Sequence, residues 1–173
     1  SLRLALRDQS DAVAGAAAEA LAAVAPEACL PALLARLEEA PPHEVRVAII
    51  RAAGRSATVP APLLLGCFRE AGAPTDLRLA AAAGLLGADL GPDLGTGDEH
   101  EVLNWLAETM TRPFGDPAGA EALVGAWVAK VEGSGGDELR AAWSDFGPKQ
   151  AIIHTADQAR ARRSGRAALL QAH

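Results

Sequence analysis

Four histidines, His43, His100, His154 and His173, fall in separate stretches of the chain, and none forms an HxxxH or HExxH pair with which one helix could hold zinc. The densest acidic group, Asp98, Glu99 and Glu101 with Glu108 further on, stands beside His100 and can be drawn as a metal site. The simpler reading is a charged first helical turn that complements the helix dipole. Gly95-Thr96-Gly97 and Gly133-Ser134-Gly135-Gly136 are glycine-rich, yet neither follows a strand or ends in Gly-Lys-Ser/Thr, so they read as turns rather than phosphate loops. Cys29 and Cys67 lie in apolar helical surroundings and are expected as buried thiols in a reducing compartment. No catalytic, cofactor-binding or metal-binding residue is assigned.

The arginines offer recognition chemistry instead. Arg46 and Arg78 occupy matched positions after the first apolar residue of two similar segments, and Arg140 stands in a third, weaker version, Asp137-Glu138-Leu139-Arg140-Ala141-Ala142. A guanidinium is always charged and presents a planar fork of donors that suits carboxylates, so such a series forms either an internal ladder to acids and turn carbonyls or a contact with a partner. Arg51 and Arg55, four residues apart, share a helical face, while Ala83 and Gly87 stand at the corresponding places in the next segment. A polar pair that the repeat itself does not require is the better candidate for partner contact. Trp105, Trp127 and Trp143 all fall in the second half and read as core or as a pocket wall.

These residues need helices to hold them. The 173 residues include 41 Ala and 23 Leu, both strong helix formers, with three Phe, three Trp and no Tyr. An all-α fold follows, its core built from closely packed Leu, Val, Ile and Ala. Segments opening at Asp11, His43 and Thr75 superpose at an offset of 32, which aligns Val13 with Val45 and Leu77, and Ala16 with Ala48 and Ala80. A preceding series superposes at an offset of 31, pairing Leu2, Leu33 and Leu64, then Leu6, Leu37 and Phe68, with Pro31 and Pro62 placed at helix starts. Two helices per unit, joined by turns such as Ala40-Pro41-Pro42-His43, make hairpins that must stack to bury their apolar faces.

The runs Glu44-Val45-Arg46-Val47-Ala48 and Asp76-Leu77-Arg78-Leu79-Ala80 resemble the second helix of HEAT repeats, and the resemblance extends over residues 1–89. Ala14 stands in the first unit where Arg46 and Arg78 stand in the others. The resemblance implies a right-handed α-α superhelix whose second helices line a concave face used for holding protein partners. Leu2 takes the place of Leu33 and Leu64, so the chain opens inside a first helix, and a neighbouring repeat or partner is expected at that end. The expected organisation is a helical repeat domain over 1–147, regular over 1–89 and divergent over 98–147. A basic C-terminal helix or tail over 148–173 completes it. In the divergent part a helix with an Asp98 cap is expected to run to about Met110, and another from Pro117 to Val131.

Charge narrows the partner. Residues 1–97 carry 8 Lys/Arg against 11 Asp/Glu, residues 98–148 carry 3 against 10, and residues 149–173 carry 5 against 1. An acidic body disfavours a nucleic-acid partner, and no apolar run is long enough to span a membrane. The resulting expectation is a non-enzymatic, cytoplasmic protein-interaction scaffold, part of a larger protein. Arg46, Arg51, Arg55, Arg78 and Arg140 would make a locally basic groove for an acidic protein segment. The alternative is a DNA-acting enzyme of the HEAT-like alkylpurine glycosylase type; Trp143 and Asp145 can be drawn into such a site, but the resemblance stops at the fold, because the acidic segment that holds them would repel the DNA backbone.

Overall fold

The computed structural model describes residues 2–87, 95–111 and 116–132. Among these every regular element is an α-helix, and no strand occurs. The chain divides into two compact units, Ser1–Gly95 and Thr96–His173. In the first, α1 (Leu2–Ala5), α3 (Pro26–Glu38) and α5 (Ala61–Arg69) alternate with α2 (Asp11–Val24), α4 (His43–Ala53) and α6 (Thr75–Gly87). Each odd helix packs against the even helix that follows it, and α4 packs against both α2 and α6. Three hairpins therefore lie side by side through their second helices.

The second helices begin at Asp11, His43 and Thr75, at the offset of 32 read from the sequence. They run parallel and in register. Gly15 of α2 faces Ala48 of α4, and Glu19 of α2 reaches Arg51 of α4. Small residues allow this approach: the buried positions of α2 are Ala14, Ala17, Ala18 and Ala22. Helix α4 has helices on several sides, and Val45, Val47, Ala48, Ile49, Ile50, Ala52 and Ala53 are all buried. Full burial of a side chain such as Ile49 or Leu33 contributes about 1.5–3 kcal/mol from the transfer of apolar surface out of water. One core cluster runs from Leu6 through Ala14, Ala18 and Leu33 to Val45 and Ile49.

The first helices differ from expectation at proline. Pro62 sits at the start of α5 as predicted, but α3 starts a turn earlier, with Pro26 in its first turn and Pro31 inside the helix. The 31-residue alignment matched two prolines that belong to different helical positions, because α3 has 13 residues and α5 nine. Pro31 is exposed, so its ring faces water, and the helix forgoes one backbone hydrogen bond there. Helix α1 has only four residues. Among the described residues the exposed large apolar side chains, Leu2, Leu4, Val13 and Val24, all fall in this first hairpin, although Val45 and Leu77 at the positions matching Val13 are fully buried.

The turns repeat as well. Ala40, between α3 and α4, has φ 50°, and Gly72, at the equivalent place between α5 and α6, has φ 75°. Both put the backbone in the left-handed region that ends a helix and sends the chain back. Between α4 and α5 the Glu27 carboxylate, projecting from the first turn of α3, ties the loop. It accepts hydrogen bonds from the Ser56 hydroxyl at 2.7 Å, the Ala57 N–H at 2.7 Å and the Thr58 hydroxyl.

In the second unit α7 (Thr96–Thr111) packs on α8 (Pro117–Glu132), burying Val102, Leu103 and Leu106 of α7 with Ala120 and Val124 of α8. Helix α7 starts two residues before the expected Asp98 cap, so Asp98 and Glu99 lie in its first turn, and Thr96 and Gly97 are helical rather than part of a loop. Asp116 caps α8 by accepting the Gly119 N–H at 2.8 Å. The expected C-terminal helix or tail, the Asp137–Ala142 segment and the Gly133–Gly136 turn lie outside the described residues.

Candidate functional site

Parallel second helices in register place equivalent positions of neighbouring units beside each other, so charges 32 residues apart meet. Glu19 and Arg51 are such a pair, with Oε1 and Nη1 3.5 Å apart. Arg55 does not share a helical face with Arg51 as expected, because α4 ends at Ala53; from the turn after it, Arg55 still approaches the same carboxylate at 2.6 Å and donates to the Glu19 carbonyl at 3.4 Å. Two guanidinium groups thus share one acid. The Arg51 and Arg55 side chains keep 52% and 45% exposure, so their remaining donors reach solvent.

Arg46 and Arg78 also converge, on the residue that ends α5. The Arg46 guanidinium grips the Glu70 carboxylate with two hydrogen bonds, one of them from Nη1 at 3.0 Å. Arg78 donates from Nη2 to the Glu70 carbonyl at 3.5 Å, and its guanidinium carbon lies 5.9 Å from the centre of the Phe68 ring. A cation beside the last carbonyls of a helix also meets the negative end of its dipole. The grip of Arg46 holds the Glu70 carboxyl below the usual carboxylate range, and the Arg46 guanidinium is raised in return. The Cys67 sulfur lies 4.0 Å from Arg46, but burial pushes this thiol up more than the nearby cation pulls it down. Cys29 is likewise buried and raised by burial, so both cysteines are packed thiols rather than nucleophiles. At the start of α4, His43 Nε2 meets the Asp76 carboxylate of α6 at 2.8 Å.

The structure therefore brings four of the expected partner-binding arginines together in two groups: Arg51 on α4 with Arg55 in the turn after it, and Arg46 on α4 with Arg78 on α6. Arg140 lies outside the described residues, as do Trp143 and Asp145. Trp105 is half-buried on α7, and its carbonyl accepts the Thr109 hydroxyl at 2.9 Å. Sequence reasoning missed the acids that organise the arginines, Glu19 and Glu70, and it missed Glu27. The signal for Glu19 was present, since Glu19 and Arg51 are 32 residues apart and the register already joined their helices. Glu27 binds across a loop boundary that no repeat offset marks.

No group of three or more His, Cys, Asp and Glu residues suited to a metal ion occurs among the described residues. No helix among them is long and apolar enough to cross a membrane. No protein-family model, curated protein or solved structure matches the chain. Helix register and side-chain chemistry are therefore the grounds for a functional reading.

Proposed function

We propose that this chain is a non-enzymatic, cytoplasmic protein-interaction scaffold of HEAT type, coiled as a right-handed superhelix, which holds an acidic segment of a protein partner along α2, α4 and α6. The observation that supports this most is the sharing of Glu19 by Arg51 and Arg55, both about half exposed. A pair built only to tie α2 to α4 needs one arginine; the second leaves an unbalanced positive charge with donors to spare at the solvent-facing end of α4, where the next unit carries Ala83 and Gly87 instead. An acidic side chain docking there completes the charge balance that Glu19 begins. The exposed Leu2, Leu4, Val13 and Val24 suit a further repeat or partner covering the first hairpin.

A random-peptide display selection on the immobilised chain tests the reading. Enriched peptides should be rich in Asp and Glu, and charge reversal at both Arg51 and Arg55 to Glu should weaken them sharply through repulsion. Single exposed contacts contribute about 1 kcal/mol or less, so the single variants should have modest effects. Enrichment indifferent to the double reversal would place the partner elsewhere. Salt-sensitive binding of duplex DNA instead of peptides would favour a nucleic-acid function.

A further inference from the structure

A cavity of about 200 Å³ opens between the first hairpin and α3, lined by Arg3, Leu6, Arg7, Ala32, Ala35 and Arg36. Its three arginines are held differently. Arg36, 15% exposed, donates from Nε to the Leu6 carbonyl at 3.0 Å and pairs with Glu39 at 3.2 Å. Arg7 also pairs with Glu39 through Nε at 3.1 Å, while its side chain stays 67% exposed. Arg3 makes only one long contact, from Nη2 to the Ala28 carbonyl at 3.5 Å. Arg7 and Arg36 share the one Glu39 carboxylate and Arg3 pairs with no carboxylate, so three guanidinium groups line a cavity whose other walls are Leu6, Ala32 and Ala35.

We propose that this cavity binds a carboxylate carrying a short apolar body, either a free organic acid or the C-terminal carboxylate of a peptide ending in an apolar residue. The size sets the body. A dry cavity of about 150 Å³ takes a benzene ring, whereas drug-sized ligands need about 300 Å³ or more. The chemistry sets the head group, because a guanidinium fork matches a carboxylate with two parallel hydrogen bonds. Arg3 supplies that fork: its donors are nearly all unspent, and it lines the cavity together with the anchored Arg36. The aliphatic stems of Arg3 and Arg7 extend the apolar wall formed by Leu6 and the two alanines. A bare anion would gain nothing from that wall. The site belongs to the first helices and stands independently of the arginine groups on α2, α4 and α6.

The test titrates benzoate, benzamide, N-acetyl-leucine, N-acetyl-leucinamide and inorganic phosphate into the full chain, followed by the arginine Nε–H and backbone amide signals in nuclear magnetic resonance. Arg3→Gln and Ala35→Leu both change exposed positions, and the same spectra report that each variant is folded. Benzoate and N-acetyl-leucine are expected to saturate with dissociation constants on the order of 1 mM, as suits ligands of so few atoms. Shifts should centre on Arg3, Arg7, Ala32 and Arg36, with the two amides at least fivefold weaker. Arg3→Gln should weaken the acids at least fivefold by removing the fork, and Ala35→Leu should do so by filling the cavity with charge unchanged. Tighter N-acetyl-leucine points to a peptide terminus, and tighter benzoate to a free acid; both support the site. Absence of saturation, equal binding of the amides, phosphate binding as well as benzoate, or acid binding untouched by Arg3→Gln would overturn it.

Discussion

Gly54 and Gly84 touch where the end of α4 meets the middle of α6. A Cβ built on Gly54 would lie 2.7 Å from the Gly84 Cα, and one built on Gly84 would lie 3.0 Å from the Gly54 Cα and 2.8 Å from Leu64 Cδ1. At Gly54 the obstacle is backbone, which cannot swing aside; at Gly84 it is backbone together with the Leu64 side chain. Alanine at either position should destabilise by about 1–3 kcal/mol in urea unfolding, the usual cost of forcing an extra methyl into packed structure. Gly66 provides the opposite case: it is exposed within α5 with open space around it, so Gly66→Ala should stabilise by about 0.5–1 kcal/mol through helix propensity. Similar effects at both sites would refute the close packing of α4 on α6.

Ala40 holds a left-handed conformation, φ 50°, that Gly72 adopts without strain in the equivalent turn. Ala40→Gly removes the clash of a Cβ with the backbone, and the added freedom of the unfolded chain offsets part of the gain. A net stabilisation of about 0.5–1 kcal/mol is expected, read as a higher denaturant midpoint at unchanged slope.

Three carboxyls are held below the usual carboxylate range: Glu27 chiefly by the Thr58 and Ser56 hydroxyls, Glu39 chiefly by Arg7, and Glu70 chiefly by Arg46. A depressed pKa in the fold means that the unfolded chain takes up protons first as pH falls. Their stabilising effect is therefore complete above the unfolded carboxylate range and lost as pH drops from about 5 through the folded values. Urea midpoints should fall steadily across that window. Glu27→Gln should flatten part of the pH dependence while lowering the midpoint near neutrality; an unchanged pH slope would remove Glu27 from the account.

Glu19 competes with any acidic partner for Arg51 and Arg55. Replacing it with Gln costs two exposed ion pairs, together about 1 kcal/mol of stability or less. The same change frees both arginines, so an acidic peptide that binds the native chain should bind Glu19→Gln more tightly, by severalfold at low salt and less at high salt. Fluorescence anisotropy measures both. Weaker binding to the variant would mean that Glu19 serves the partner rather than competing with it.

The all-helical architecture was legible because Ala and Leu dominate and because apolar positions recur every 32 residues, which placed the starts of α2, α4 and α6 at Asp11, His43 and Thr75. The same periodicity failed for the first helices. They vary in length from four to 13 residues, so matching Pro31 to Pro62 aligned an interior position with a helix start. Comparing like with like in aligned units also hid the site's organisation. Glu19, Arg51 and Ala83 occupy one repeat position, and the attraction arises because they differ. Glu27 and the Arg3–Arg7–Arg36 cavity come from contacts between a helix and a loop or between short first helices, where side-chain reach rather than periodicity decides what meets.

Helix α4, with seven of its eleven residues buried, has a consequence for how the first unit assembles. A helix this short is marginal by itself in water, and most of its stability comes from apolar neighbours on different sides. The hairpins on either side of it therefore cannot come apart independently, because releasing one uncovers the face that keeps α4 wound. Fraying from the ends, the usual failure of a linear array of repeats, stops at its middle member. The amides of Ile49 and Ile50 should then exchange with deuterium only when the whole unit opens, making α4 the last element to yield and the common kernel on which both flanking hairpins form.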